Sequence, residues 1–333
     1  MHPGHAGGTL RGPAGRCVAA DAGGAPVSLH YGVVGTGPVG RVFAGLLRQA
    51  GHRVTVLCHH TPTQLILQRR PVVVKGCLQA YAQLDEVLLE VADFVATQPD
   101  VLLVCIKSMD TEHLLRTLRV HGPKPEMLFV SCQNGIGTEN IVARVFGAER
   151  ALRMVLNMGC DVSCGNEVVV TFSETHVLSR PPEVDPALVD RIATDLREAG
   201  FPIEARADWR NEVFRKALLN ASLGSLCAIT RHCMGCVMGQ AEARAMVQDM
   251  LAEGMAICRA ERIELPGDYS QQAMAYLDRG GEHRPSILVD VEKGKVTENE
   301  FLCGELARLA RRHGVPAPTI SFVDKILRCT ESF

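Results

Sequence analysis

HYGVVGTGPVGRVFAGLLRQAGHRVTVLCHH, His30 to His60, decides how this 333-residue chain folds. Residues 29–34 read as a short buried strand, a helix follows over Val39 to Ala50, and RVTVLC (53–58) is a second strand. Between them lies Gly35-Thr36-Gly37-Pro38-Val39-Gly40. In a turn of this spacing the first glycine permits the tight bend, the second lets a pyrophosphate approach the backbone, and the third lets helix and strand pack closely. Pro38 suits the first helical turn, where a missing N–H goes unused. The helix N-terminus offers bare N–H groups and a positive dipole end to a phosphate. The glycine spacing alone is weak evidence. Placed between a strand and a helix, with another strand about 18 residues on, it is strong.

The second strand ends at Leu57-Cys58-His59-His60. A dinucleotide site selective for an unphosphorylated ribose would place Asp or Glu there. None is present, and no acidic residue occurs between Asp21 and Asp85. His59, His60, Arg69 and Arg70 stand nearby instead, which favours a 2′-phosphate and so NADP(H).

The same alternation continues outward. VLLVCIK (101–107) and residues 128–133 are strand-like, with a helical pattern in TEHLLRTLRV between them. EVVVTF (167–172), HVLS (176–179) and PIEAR (202–206) add strand-like runs, and PALVDRIATDLREAG reads as an amphipathic helix ending on Gly200. Strands alternating with helices predict an α/β, doubly wound parallel sheet. After about residue 208 only helical periodicity remains, over 211–228, 238–262, 269–279 and 298–313. Thr297-Glu-Asn-Glu300 has the form of a capping box for the last of these, with Gly314 and Pro316 as its stop. The expected organisation is a flexible leader (1–27), a sheet domain (28–207) and an all-α domain (208–333).

Hydrophobic residues make up 47% and charged residues 22%, with a net charge of −2. That balance, without any lysine or arginine run, leaves no footprint for nucleic acid. No apolar run reaches the roughly 18 residues of a membrane span, and the leader lacks the apolar core of a secretory signal. Thirteen cysteines in a long chain point to reduced thiols and a cytoplasmic location. Cys233-Met-Gly-Cys236, preceded by His232, is the motif-like pair. A structural zinc needs four ligands, and the other close pair is Cys160 and Cys164, so a tight turn between helices is expected rather than a metal.

EVFRKALLNASLGSL, Glu212 to Leu226, raises the chemical question. Lys216 and Asn220 share one helix face with Val213, Leu219 and Leu223. Lys216 is either a snorkelling side chain or a buried proton donor whose acidity is raised by desolvation. Glu298 is the carboxylate expected to partner it. Ser286, after Pro285, either caps a short helix or holds a substrate carboxylate. Lys107 and Asn134-Gly135 end neighbouring strands, where this kind of sheet binds ligands; each also reads as a solvated cap or a plain turn.

In order along the chain, GTGPVG at 35–40, CIKS around Lys107, QNGIG at 133–137, FRKALLN at 214–220, and Pro285-Ser286 with Glu298 twelve residues past the serine resemble the ketopantoate reductases (2-dehydropantoate 2-reductases) over roughly residues 29–330. The resemblance implies an N-terminal Rossmann-type doubly wound sheet followed by an all-α domain, and reduction of a 2-oxo acid by NADPH on the route to pantothenate and coenzyme A. It implies Lys216 as general acid, Glu298 as its orienting group and Ser286 as a substrate contact. Lys107, Asn134 and Asn220 would line cofactor and substrate, and Gly35, Thr36, Gly37, Pro38, Val39, Gly40, His59, His60 and Gly135 would contact the cofactor. The partner is then a small 2-oxo acid, and a homodimer is compatible with the reading.

Three departures stand out. Gly224 occupies the place of a second substrate-binding asparagine, His59 that of an arginine, and TENEFLCG replaces the more usual TEIDxLNG. They leave cofactor binding and carbonyl reduction standing and open the substrate to other 2-oxo acids. A β-hydroxyacid dehydrogenase would show a glycine-rich turn before the Lys-x-x-x-Asn helix, and ADWRNEVFRK has none. A lactate or malate dehydrogenase would need a His–Asp pair with a substrate arginine, which is not evident. A nucleotide sensor without chemistry would not need both Lys216 and Glu298.

Overall fold

The two apolar runs that flank the glycine turn become adjacent parallel strands. In a computed structural model that describes residues 28–330, β1 (His30–Val34) pairs with β2 (Arg53–Leu57), Val34 opposite Leu57. The leader read over 1–27 lies outside the described residues. All five β1 residues are buried, as a strand covered on both faces requires. The helix Pro38–Gln49 crosses between the two strands and buries Val42, Phe43, Leu46 and Leu47. Burying side chains of this size contributes about 1.5–3 kcal/mol each.

The remaining strands are β3 (Val72–Gly76), β4 (Ala80–Ala82), β5 (Glu86–Leu88), β6 (Val101–Val104), β7 (Leu128–Ser131), β8 (Ala151–Val155), β9 (Met158–Cys164), β10 (Glu167–Ser173), β11 (His176–Ser179) and β12 (Ile203–Arg206). Eight form the main sheet in the order β12-β11-β8-β7-β6-β1-β2-β5. Its pairs are parallel except β11 with β8. β6, β1 and β2 meet where the strand order reverses, the place at which such sheets bind ligands. EVVVTF, expected in this sheet, instead pairs with β3 and β9 in a separate four-stranded sheet, β4-β3-β10-β9. β6 stops at Val104, so Lys107 stands in the loop beyond it.

No strand follows Arg206 among the described residues. The helices are Trp209–Leu219, Ser225–Thr230, Met234–Met238, Ala241–Ala260, Tyr269–Asp278, Ser286–Glu292, Cys303–His313 and Pro318–Thr330. Leu218, Leu223, Val247, Leu251, Ile257, Leu288, Leu306 and Val323 share their core.

Two sequence expectations change here. The helix expected over 211–228 is interrupted by a wide π turn, Asn220–Gly224. The helix expected from 298 begins at Cys303, after a tight turn over Asn299–Phe301, and Thr297 Oγ1 accepts from the N–H of Asn299 at 3.2 Å. The Thr297 hydroxyl therefore bonds into that turn, whose N-cap is Glu298, and Thr297 is not the N-cap of the Cys303–His313 helix. Gly314 at φ 65° does terminate the Cys303–His313 helix. No helix among the described residues is long and apolar enough to cross a membrane.

Candidate functional site

The glycine turn has the geometry its spacing implies. Gly35 has φ +103°, and a Cβ there would lie 2.7 Å from the Cys105 carbonyl oxygen. A Cβ on Gly40 would lie 1.9 Å from the Gly35 oxygen, whereas one on Gly37 would meet nothing within 4 Å. Gly37 thus presents open backbone at the start of a helix that has Pro38 in its first turn, no side-chain cap and no acidic residue there. An anionic pyrophosphate fits that place. Arg41, buried beside it, donates from Nε to the Thr36 oxygen at 2.8 Å and from Nη1 to the Gly165 oxygen at 2.5 Å. It ties the β9–β10 connection to the turn, a role the sequence reading did not assign.

His59 and His60 are exposed just beyond β2, with His60 Nδ1 3.2 Å from Thr63 Oγ1. Arg69 and Arg70 sit at the far end of the Thr61–Arg69 helix and line a shallow pocket with Leu65, Ile66 and Gly165. Through Gly165 and Arg41 that pocket borders the glycine turn. His59 and His60 thus stand at the start of the Thr61–Arg69 helix, and Arg69 and Arg70 at its end.

The ends of β6 and β7 meet the helical part. Ser108 donates to Glu298 Oε1 from its N–H at 3.1 Å and from its hydroxyl at 2.7 Å, and lies 3.3 Å from the Asn134 oxygen. The Lys107 ammonium donates to Asp290 and stands 3.8 Å from Glu298 Oε2. Gly135 (φ +92°) packs so closely that a Cβ would come 2.5 Å from Phe301 Cβ, and the Ile136 N–H donates to the Phe301 oxygen at 2.8 Å. Lys107, Asn134, Gly135 and Glu298, picked out from sequence, are thus brought together. Asp290 was not picked out; its only signal was its place four residues after Ser286.

Lys216 is half-buried and donates to the carbonyl oxygen of Leu156, just past β8. Glu298 was the expected partner, yet among the described residues no carboxylate forms an ion pair with Lys216. Burial lowers the Lys216 pKa from 10.5 to about 8, helped by the positive charge of Arg153 and opposed by Glu298 and Cys160. Asn220 is half-buried at the start of the π turn, a local widening that often accompanies functional sites. Ser286 is exposed and is the first residue of its helix; Pro285 holds the cap position, so Ser286 is not the cap. A Cβ on Gly224 would lie 3.4 Å from Ile287 and 3.8 Å from Pro285, which sets the π turn against the two neighbours of Ser286.

Arg153, fully buried on β8, escaped the sequence reading because a charge within a short run breaks its apolar pattern. It donates to Gly135 O at 3.0 Å, to Ser131 Oγ at 3.3 Å and to Thr138 Oγ1. Its Nε has no partner, and burial lowers its pKa from the usual arginine value. This guanidinium fixes the Asn134–Gly135 turn, and its charge lowers the Lys216 pKa. Nearby, His176 stacks on Phe201 with ring centroids 4.0 Å apart and accepts at Nδ1 from the Asn157 N–H at 2.8 Å. Burial, and next the Lys216 charge, push the His176 pKa down to about 3.

Cys233 and Cys236 open the short Met234–Met238 helix instead of forming a bare turn. Among the described residues no three His, Cys, Asp or Glu side chains gather closely enough to hold a metal.

Residues 31–183 match the family model described as Ketopantoate reductase PanE/ApbA, and residues 208–331 match Ketopantoate reductase PanE/ApbA C terminal. The chain is 25% identical over 314 residues to the 2-dehydropantoate 2-reductase of Aquifex aeolicus, covering 92% of this chain and 98% of that protein. It is 25% identical over 304 residues to the Archaeoglobus fulgidus protein of the same name, covering 90% and 97%. The fold is similar to a 2-dehydropantoate 2-reductase of Geobacter metallireducens, with a TM-score of 0.83, 20% identity, and 90% and 99% coverage of the two chains. It is equally similar to D-mandelate dehydrogenase in its ternary structure with NADH and anilino(oxo)acetate, with a TM-score of 0.82, 21% identity, and 91% and 99% coverage.

Proposed function

The chain belongs to the ketopantoate reductase PanE/ApbA family and is an oxidoreductase, and from this premise we propose that it reduces a 2-oxo acid, foremost 2-dehydropantoate, to the 2-hydroxy acid with NADPH. The observation that carries the proposal is the place of Lys216, whose ammonium donates to the Leu156 oxygen just past β8, with burial pushing its pKa down to about 8. An acid of that strength can both donate a proton near neutral pH and stabilise a developing alkoxide.

The reduced nicotinamide, when bound, supplies hydride to the carbonyl carbon. The chain's own residues do the rest. Gly35 to Gly40 receive the pyrophosphate, and Lys107, Asn134 and Gly135 line the nicotinamide side. His59 and His60, with Arg69 and Arg70 on the bordering pocket, receive the 2′-phosphate; the absence of a carboxylate after β2 favours it. Lys216 delivers its proton to the carbonyl oxygen, and Glu298, through its field, keeps that lysine charged. Asn220 and Ser286 hold the carboxylate end of the substrate, with Asn134 beside them. In this reading the product enters the route to pantothenate and coenzyme A, as the names of the curated relatives suggest.

Gly224 favours a second substrate reading. It offers no amide next to Ser286, so a substrate hydroxyl there would lose a partner, and a 2-oxo acid with an apolar tail fits the same machinery. A fold shared with a D-mandelate dehydrogenase is in keeping with that breadth.

The test is oxidation of NADPH and NADH, followed by absorbance, with 2-dehydropantoate beside aliphatic and aromatic 2-oxo acids. Turnover of 2-dehydropantoate with NADPH supports the first reading. Turnover confined to another acid moves the substrate and leaves the chemistry. Tight NADPH binding with no turnover of any acid overturns the assignment of Lys216 as a proton donor.

A further inference from the structure

Cys233 and Cys236 take no part in the carbonyl chemistry, yet their surroundings are specific. Cys233 occupies the cap position before Met234–Met238 and Cys236 lies in its first turn, with the two Sγ atoms 3.0 Å apart. That separation is about 1 Å longer than a disulfide bond of about 2.04 Å. Cys233 is half-buried and Cys236 exposed, so a dissolved reagent reaches the pair.

The turn between the sulfurs is held from outside. The Met234 N–H donates to the His283 oxygen at 3.0 Å and the Gly235 N–H to the Gly281 oxygen at 2.6 Å. A Cβ on Gly235 would lie 2.8 Å from the Gly281 oxygen, so the approach depends on glycine. A fold that already holds two groups in contact removes most of the ordering cost of joining them.

The two thiols also differ. Cys233 is lowered from the ordinary thiol value, first by its hydrogen bond with the Cys236 thiol and then by the backbone N–H groups of Cys236 and Gly235, whereas Cys236 is raised by its neighbour. An acidic attacking thiol beside a second, less acidic one is the arrangement that thiol–disulfide exchange uses. By contrast, burial pushes Cys227 and Cys258 up to about 12.

We propose that Cys233 and Cys236 form a reversible dithiol–disulfide site whose oxidant is a low-molecular-weight disulfide of the glutathione class. The Cys233 thiolate attacks one sulfur of oxidised glutathione. The glutathione S–S bond breaks, and one glutathione leaves as thiolate and takes up a proton. The Cys236 thiolate then attacks Cys233 Sγ in the mixed disulfide and expels the second glutathione. Two protein thiols and one oxidised glutathione become one protein disulfide and two glutathione thiols, so two electrons pass from protein to glutathione. The site works independently of the reductase reading.

The experiment equilibrates the full chain over a range of oxidised-to-reduced glutathione ratios, traps free thiols with iodoacetamide, and maps the peptide containing residues 233–236 by mass. The expected result is one two-electron transition in which both thiols vanish together and the peptide loses two hydrogens. Cys236→Ser is expected to accumulate a glutathione adduct on Cys233, because the resolving thiol is gone. Alkylation of both cysteines at the most oxidising ratio overturns the proposal. A stable glutathione adduct on the unaltered chain, with no internal bond, overturns it as well.

Discussion

Glu298 accepts two hydrogen bonds from Ser108, its backbone N–H at 3.1 Å and its hydroxyl at 2.7 Å, across 190 residues of chain. The carboxylate of the helical part is thereby anchored to the sheet, and it acts on Lys216 through its field and not by contact. The Arg153 guanidinium lowers the Lys216 pKa and the Glu298 carboxylate raises it.

Lys216→Ala is expected to lower kcat by about 10²–10⁴, the usual worth of a positioned general acid, while NADPH titration gives a nearly unchanged Kd. With Lys216 as the proposed general acid, its protonated form would be the active one. The rate should therefore be full below, and fall as pH rises through, the Lys216 pKa of about 8. A kcat that climbs across that range would show that Lys216 is not the donor.

The two flanking charges should move that alkaline limb in opposite directions. Glu298→Gln removes a group that raises the Lys216 pKa, so the limb shifts to lower pH. Arg153→Met removes one that lowers it, so the limb shifts to higher pH. Thermal melts run beside the pH–rate profiles separate these shifts from loss of fold, and shifts of the same sign would contradict the charge arrangement.

A Cβ at Gly224 would make ordinary contacts with Ile287 at 3.4 Å and Pro285 at 3.8 Å. Gly224→Asn would thus add an amide next to the two chain neighbours of Ser286. Its expected effect is to raise kcat/KM for a hydroxylated 2-oxo acid relative to its deoxy analogue by about 5–10-fold, the worth of one hydrogen bond of about 1 kcal/mol. An unchanged ratio would place the substrate tail elsewhere.

His176 gives a prediction about stability. Its folded pKa of about 3 lies below the ordinary 6.5. Above 6.5 it is neutral in both folded and unfolded chains. As pH falls from there toward 3 the unfolded chain takes up the proton first, and stability is lost. Urea unfolding of His176→Gln should show a shallower loss over that window, whatever its stability at neutral pH. An identical slope would mean that His176 titrates normally in the folded chain.

The glycine turn, the strands on either side of it and the shift to helices after Arg206 were legible because each follows a regular period. β8 and β9 were not. In β8 the charge of Arg153 interrupts the apolar run, and β9 mixes Gly159, Cys160, Asp161 and Ser163 on a half-exposed hairpin. Lys107, Asn134, Gly135, Lys216 and Glu298 could be selected because their residue types stand out at element ends or on apolar faces. Their pairings could not. The charge of Glu298 reaches Lys216, but whether Ser108 or Lys216 donates to it depends on how the sheet and the helices meet, and no local pattern encodes that.

The wide turn at Asn220–Gly224 carries a lesson about length. A π turn holds one residue more than the α turn it replaces, so everything after it is rotated by about 100° relative to a continuous helix. Deleting any one residue from 220–224 would let the backbone close into an uninterrupted helix. Ser225 and Leu226 would keep the core positions they now fill, because the surplus residue is what the π turn absorbs. A chain that kept all five residues but closed them into α turns would instead carry Ser225 and Leu226 about 100° round the helix, so the widening itself keeps the interior facing inward.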